Sequence, residues 1–137
     1  MLYVKDFCNA PAVTVQPLTS LKECLEIMER EKFRHLLVTE KNEETGQDML
    51  KGIVVRRDIE SALLQPSRIP QTPVEWIMSK NLITVEEKAP LIDALKLMNQ
   101  YKFSGLPVVQ GEVLVGMFTE TDVVKALIAF LEGEHDQ

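Results

Sequence analysis

The sequence is short of positive charge and of long apolar runs. Its 137 residues carry 15 lysines and arginines against 21 aspartates and glutamates, a net charge of −6. Nucleic-acid binding depends on basic residues that neutralise phosphates, so this balance argues against a nucleic-acid partner. No stretch approaches the roughly 18 apolar residues that a membrane-spanning helix needs, and the N-terminus lacks the pattern of a signal peptide. We therefore expect a cytoplasmic protein that does not insert into a membrane.

Residues that commonly bind metals or perform catalysis are equally scarce. The two cysteines, Cys8 and Cys24, form no CxxC motif, and the two histidines lie far apart. We interpret both cysteines as small buried hydrophobic residues in a reducing compartment, with a reactive or metal-binding pair as the alternative. The acidic segment 40–48 lacks the ligand spacing of a calcium loop, which favours simple solvation. With neither a paired nucleophile nor a GxxxxGK loop, we expect no enzyme, no metal site and no cofactor.

What the sequence does contain is an internal repeat. Phe33 recurs as Phe103 in a register offset by 70 residues, and Asp58 recurs as Asp122 in a register offset by 64. Repeats of this length cannot bury their apolar faces alone, so the two copies are expected to pack together. The predicted divisions are a first repeat at residues 1–65, a linker at 66–72, a second repeat at 73–131 and a charged tail at 132–137.

Each repeat is predicted to run strand, helix, strand, strand, helix. Ser20 begins the first helix, with Glu23 completing a capping box, and Pro90 takes the first helical position of the equivalent helix. The fold class is therefore α+β, with two pseudo-symmetric β-α-β-β-α repeats packed as a pair. The other predicted elements are strands at 13–15, 36–38, 83–85 and 106–109 and final helices at 58–64 and 122–131.

The sharpest local motif is the turn that leads into the last predicted helix. There a glycine precedes the hydroxyl of Thr119 and the carboxylate of Asp122. A helix N-terminus attracts phosphate, and a carboxylate beside it can accept hydrogen bonds from ribose hydroxyls. The same pair equally fits a simple helix cap. In the first repeat the turn keeps Asp58 but has Val55 in place of the hydroxyl. Because Val55 cannot cap a helix, the presence of Asp58 favours a role for the carboxylate other than capping.

With these motifs in view, the two repeats resemble a tandem pair of CBS domains, the modules named after cystathionine beta-synthase. The resemblance rests on the paired Thr-Val strands, the Leu-Pro-Val-Val strand at 106–109 and the glycine–hydroxyl–aspartate turn, and it covers residues 4–131. It implies a stand-alone regulatory module that binds AMP, ADP, ATP or S-adenosylmethionine in clefts to which both repeats contribute. It also implies a homodimer that signals to a regulated protein partner.

The resemblance further implies two sets of ligand-binding residues, with Asp122 and Asp58 as the carboxylates that bind ribose. Arg34 and His35 fall where related sensors place phosphate-contacting residues, whereas their counterparts in the second repeat are uncharged. The other implied contacts are Thr119 near phosphate, Met117 beside adenine, and Val13 and Phe33 around the base in the Asp122 set, and Ile53, Ile83 and Phe103 in the Asp58 set.

Several alternatives stay open at the level of sequence. Arg56 and Arg57 are either a solvated first helical turn or phosphate ligands, since cations at that place oppose the helix dipole. The complete turn motif favours the Asp122 cleft, whereas the cationic side chains favour the Asp58 cleft. A dimerisation scaffold that binds no ligand is the alternative to nucleotide sensing.

Overall fold

The computed structural model describes residues 2–11, 13–103 and 105–133, so Met1, Ala12, Ser104 and residues 134–137, with His135 among them, lie outside the description. The chain divides into two compact units. The continuous unit is Ala12–Leu82, and the discontinuous unit joins Met1–Pro11 to Ile83–Gln137. The opening residues of each predicted repeat thus group with the other repeat, 1–11 with the second and 73–82 with the first. The repeat boundaries refer to the sequence pattern and stay a prediction.

The continuous unit contains α1 (Leu21–Glu31), β1 (His35–Lys41), β2 (Asp48–Val55) and α2 (Arg56–Leu63). β1 and β2 pair in antiparallel fashion. Ser20 caps α1 as predicted, since its hydroxyl accepts a hydrogen bond from the Glu23 amide at 3.1 Å. The predicted strand at 13–15 is reduced to a single parallel bridge between Val15 and Val38.

The discontinuous unit contains β3 (Val85–Glu86), α3 (Leu91–Tyr101), β4 (Gly105–Gln110), β5 (Val113–Thr119) and α4 (Glu120–Leu131). β3 pairs with β4 in parallel, and β4 pairs with β5 in antiparallel fashion. These elements confirm the α+β class and complete the predicted β-α-β-β-α order in this unit.

The first strand survives in one unit and not in the other because of a proline. The amide of Glu87 donates to the Val109 carbonyl at 3.0 Å and extends the β3 ladder. The equivalent position in the continuous unit is Pro17, which has no amide hydrogen to donate. The prediction for a second proline is wrong by one residue. Pro90 is the N-cap of α3 and not its first helical residue.

Both final helices begin two residues earlier than predicted, α2 at Arg56 and α4 at Glu120. Asp58 and Asp122 therefore occupy the third position of their helices. From that position a side chain can turn back to the amide of the N-cap residue.

Each unit has its own apolar core, and α1 and α3 supply equivalent parts of the two cores. Met28 on α1 and Met98 on α3 are buried, as their helical stripe predicted.

Cys24 is buried, and burial raises the pKa of its thiol to about 11, so it behaves as a hydrophobic residue. Cys8 is half-buried, and burial also raises its pKa, with the nearby charge of Asp122 adding to the effect.

In each unit, an incoming segment lies directly against a strand glycine. Ser79 exchanges two backbone hydrogen bonds with Ile53 in β2, and Asn9 exchanges two with Met117 in β5. A Cβ on Gly116 would stand 2.7 Å from the Asn9 carbonyl oxygen. On Gly52 it would stand 2.9 Å from the Ser79 carbonyl oxygen. A glycine is required at both places because any side chain would push the two backbones apart.

Gly116→Ala should therefore destabilise the protein by about 1–3 kcal/mol, the usual cost of adding a carbon to a filled space. Gly105→Ala is the matched control, because a Cβ there would meet its nearest neighbours at 3.4 Å, an ordinary contact distance. It should stay within about 0.5 kcal/mol of the wild type. Urea unfolding followed by circular dichroism compares the two variants, and equal stabilities would contradict the close approach at Gly116.

Candidate functional site

The continuous unit carries a basic cleft of about 530 Å³ at the junction of β1, β2 and α2. A backbone hydrogen bond of 2.8 Å from the Arg56 amide to the Arg34 carbonyl joins the start of α2 to the residue before β1. The volume falls within the range of small-molecule sites. We call this cavity the basic cleft, and its lining residues are Arg34, His35, Val55, Arg56, Arg57 and Glu60.

One arginine of the basic cleft is neutralised by carboxylates. Arg56 donates to Glu29 at 3.2 Å and to Glu60 at 3.4 Å. These hydrogen bonds, the one to Glu29 foremost, raise the pKa of Arg56. The pairs are solvent-exposed, so we assign them little stability. Their consequence is local, because the charge of Arg56 is already balanced.

The other two arginines of the basic cleft are exposed and not balanced in this way. Within the described parts of the chain, Arg34 and Arg57 have no ion-pair partner. His35 is half-buried in the same cleft, and burial lowers the pKa of its imidazole. Two unpaired guanidinium groups beside a neutral imidazole suit an anionic ligand such as a phosphate group.

The N-terminus of α2 faces the same region without a side-chain cap. Val55 is its N-cap and provides no side-chain acceptor. The Arg56 amide already donates to the Arg34 carbonyl, so the later amides of the first helical turn and the partial positive charge there remain available to an anion.

Asp58 is exposed on the first turn of α2, next to Arg57 but not itself part of the cleft lining. Among the residues that the structure describes, none donates a hydrogen bond to its carboxylate, whose two oxygens can accept about four. This carboxylate is therefore open to an incoming donor.

Asp122 is in the opposite condition, although it is the equivalent residue of α4. Its exposed fraction is 0%, and its carboxylate accepts three hydrogen bonds. The Asn9 side-chain amide donates to Oδ1 at 2.6 Å. The backbone amide of Thr119 donates to Oδ2 at 2.8 Å, and its hydroxyl donates to the same oxygen at 3.1 Å. The helix cap that the sequence allowed is thus formed, and a ribose contact by Asp122 stays a prediction.

The cavity at the equivalent place of the discontinuous unit is less basic. It measures about 470 Å³, and Glu120 stands where the other cleft has Arg56. Gly105 replaces His35, so the imidazole is missing as well. The lining residues are Leu95, Met98, Asn99, Lys102, Phe103, Glu120, Val123 and Val124.

The remaining predicted ligand residues divide between the two units. Phe103 is exposed and stacks on Tyr101, with ring centroids 5.5 Å apart. Phe103 lines the cavity of the discontinuous unit, whereas Phe33 lines neither of the two cavities. The continuous unit holds Val13, Phe33 and Ile53, and the discontinuous unit holds Ile83, Phe103, Met117 and Thr119.

Asn9 is the residue of the site that the sequence pattern did not reveal. It lies 113 positions from its partner Asp122. The repeat register could have drawn attention to it, because Asn9 is equivalent to Ser79 at an offset of 70, and the two differ in hydrogen-bonding reach.

Two searches of the described residues gave negative results. No group of three or more His, Cys, Asp and Glu side chains is placed to hold a metal ion within residues 2–11, 13–103 and 105–133. No helix in these ranges is long and apolar enough to cross a membrane.

Comparison with known sequences gives a match to the CBS domain model at residues 4–65 and again at 74–129. The chain is 32% identical over 123 residues to the CBS domain-containing protein YhcV of Bacillus subtilis, covering 90% of this chain and 84% of YhcV. The share of the relative's own length ranges from 93% of a CBS domain-containing protein of Dictyostelium discoideum to 21% of one of Arabidopsis thaliana.

Solved structures give the same result. CBSX2 in complex with AMP aligns with a TM-score of 0.77 and 26% identity, covering 95% of this chain and 98% of CBSX2. The CBS domain pair of protein MJ0100, in complex with 5′-methylthioadenosine and S-adenosyl-L-methionine, aligns with a TM-score of 0.69 and 30% identity, covering 93% and 96%. The predicted resemblance is confirmed, and the chain belongs to the CBS domain family, with two copies of the domain.

Proposed function

We propose that this chain is a regulatory module that senses an adenosine nucleotide of the AMP, ADP or ATP class and signals to a protein partner. The observation that carries the proposal is the open carboxylate of Asp58 on the first turn of α2, the helix whose unpaired Arg57 lines the basic cleft together with the unpaired Arg34. A carboxylate suits the ribose hydroxyls, and the guanidinium groups suit phosphate. The AMP complex of CBSX2 and the S-adenosyl-L-methionine complex of MJ0100 support this ligand class.

The proposal assigns separate tasks to the residues of each unit. In the continuous unit, Asp58 binds ribose, and Arg34 and His35 contact phosphate. Arg57 and the uncapped first turn of α2 assist them. Asp122 is carried over as the second ribose carboxylate and Thr119 as a residue near phosphate. The other carried-over residues, which belong around the base, are Val13, Phe33, Ile53, Ile83, Phe103 and Met117.

The role proposed for the chain is regulatory and not catalytic. S-adenosylmethionine is the second ligand to examine, and the cytoplasmic location predicted from cysteine usage stays a prediction. A scaffold that dimerises without any ligand is the second candidate function. The scaffold function is favoured by an exposed apolar stripe on α4, formed by Val124, Leu127, Ile128 and Leu131. A ligand titration separates the two functions.

That stripe also supports the proposed homodimer. Val124, Leu127, Ile128 and Leu131 are each more than half exposed and follow helical spacing along α4. At the equivalent positions the first repeat has Glu60 and Leu63 on α2 and Leu64 and Ser67 after its end, so polar residues stand at both ends of the row. A contiguous apolar patch of this kind marks an interaction surface, and a second copy of the same stripe would cover it in an isologous contact.

Asp58→Ala should lower the affinity for ATP about ten- to a hundredfold, because it removes hydrogen bonds to a charged group. Asp93→Ala is the matched control, since Asp93 is an exposed carboxylate at the same position of α3. Isothermal titration calorimetry measures both variants.

Arg34→Ala should weaken ATP binding and leave adenosine binding unchanged. If AMP, ADP, ATP and S-adenosylmethionine all give no heat of binding with the wild type, the scaffold function is favoured.

Nucleotide binding should strengthen as the pH falls, because of His35. Burial lowers the pKa of His35 from its usual 6.5. The folded protein therefore binds fewer protons than the unfolded chain below that pH, and His35 lowers stability as the pH falls. A phosphate group in the basic cleft would raise the pKa of His35, so AMP should bind more tightly at about pH 6 than at about pH 8.

Calorimetry at the two pH values checks this prediction, with His35→Gln as the control. The control also removes the titration of the AMP phosphate from the comparison, because that titration occurs in both proteins. An identical pH dependence in the wild type and in His35→Gln would show that His35 takes no part.

Leu127→Glu should dissociate the homodimer, because it places a charge in the middle of the apolar stripe on α4. Leu18→Glu is the control, since Leu18 is 75% exposed and lies in a turn of the continuous unit, outside the apolar stripe. Sedimentation velocity should show dimers for the wild type and Leu18→Glu and monomers for Leu127→Glu. A monomeric wild type at micromolar concentration would refute the homodimer.

A further inference from the structure

We infer that Asn9 is a specificity-determining residue that closes the Asp122 carboxylate and leaves nucleotide binding to Asp58. This inference rests on the proposed function, because it concerns which of two equivalent aspartates the nucleotide reaches. The observation behind it is the difference between a buried carboxylate with three donors and an exposed one with none in the described residues.

Both oxygens of Asp122 are already engaged. Asn9 donates to Oδ1 at 2.6 Å. Thr119 donates twice to Oδ2. A ribose diol would place one hydroxyl on each oxygen, and because the carboxylate is fully buried, the diol would have to displace Asn9 to reach Oδ1. The bonds from Thr119 lie within the helix cap and do not depend on Asn9.

The continuous unit lacks this contact although its backbone is arranged in the same way. Asn9 pairs with Met117 through backbone hydrogen bonds of 2.9 and 2.6 Å, and Ser79 pairs with Ile53 through bonds of 2.8 and 3.0 Å. The side chains differ. The Ser79 hydroxyl accepts a bond from the Asn81 amide at 3.3 Å, while the longer Asn9 amide reaches the helix carboxylate. The difference between the two aspartates therefore comes from one side chain and not from the backbone.

The contact acts through the Asn9 side chain alone, because the backbone below it has no room to move. The Asn9 carbonyl would meet a Cβ on Gly116 at 2.7 Å, so the segment is held against β5. The side chain itself is exposed to solvent, whereas the carboxylate that it covers is buried. Shortening this side chain should uncover Asp122 and leave the fold in place.

The test uses the exchange that the chain itself provides. Asn9→Ser gives the discontinuous unit the residue of the continuous unit, and Ser79→Asn makes the reverse exchange. Titration calorimetry with AMP should give one site per chain for the wild type. Asn9→Ser should bind a second AMP, or bind at least about tenfold more tightly overall. Ser79→Asn should weaken AMP binding.

Two further variants separate a specificity role from a structural one. Asp58→Ala should lose AMP binding, and Asn9→Ser combined with Asp58→Ala should regain one site. A purely structural Asn9 would lower the melting temperature of Asn9→Ser without changing its AMP stoichiometry or affinity, and that result would overturn the inference. The inference would also be overturned if the wild type binds AMP, Asp58→Ala still binds it and Asp122→Ala does not.

Failure of the proposed function looks different. In that case AMP, ADP, ATP and S-adenosylmethionine give no heat with any folded variant, Asn9→Ser included, and the inference falls with it. Binding to the wild type with unchanged behaviour in both Asn9→Ser and Ser79→Asn keeps the proposed function and rejects the role of Asn9.

Discussion

The close approach of two backbones at Gly52 and Gly116 is the constraint on which the rest of each unit depends. In both units an incoming segment forms a pair of backbone hydrogen bonds with the strand that leads into the final helix. Glycine permits the contact because a Cβ would collide with the carbonyl of Ser79 or Asn9. In the discontinuous unit the contact places the Asn9 side chain within hydrogen-bond distance of Asp122 in the first turn of α4. Whatever residue stands there then influences the chemistry of that turn.

The same scaffold consequently carries two different helix N-termini. At α4, a buried carboxylate is satisfied by Thr119 and Asn9, as a buried charge must be if it is not to cost several kcal/mol. At α2, Val55 offers no cap, and Asp58 stays exposed in water, where an unpaired carboxylate costs nothing. Arg34 and Arg57 add positive charge to the second environment. A near-symmetric fold thus has asymmetric chemistry, with one terminus closed on itself and the other open to a ligand.

Much of the fold could be predicted from the sequence, because the signals are local or periodic. The Ser20 cap, the buried methionines of α1 and α3 and the buried strand at 106–109 all follow from spacing within a few residues. The errors arose where a neighbouring strand decided the outcome. The strand at 13–15 ends at a single bridge, since Pro17 cannot donate to β1. The final helices start two residues early because the backbone turns directly at the end of β2 and β5.

Residue type and spacing are enough to show that the chain has two related halves and that Arg34 and His35 have no charged counterparts. They also show that each half has an apolar helix stripe and a strand-to-helix turn with an aspartate. The burial of Asp122, the exposure of Asp58 and the grouping of residues 1–11 with the second repeat become visible in the folded chain alone. The physical reason is that the hydrogen bond from Asn9 to Asp122 joins residues 113 positions apart, and no periodicity in the chain specifies such a contact.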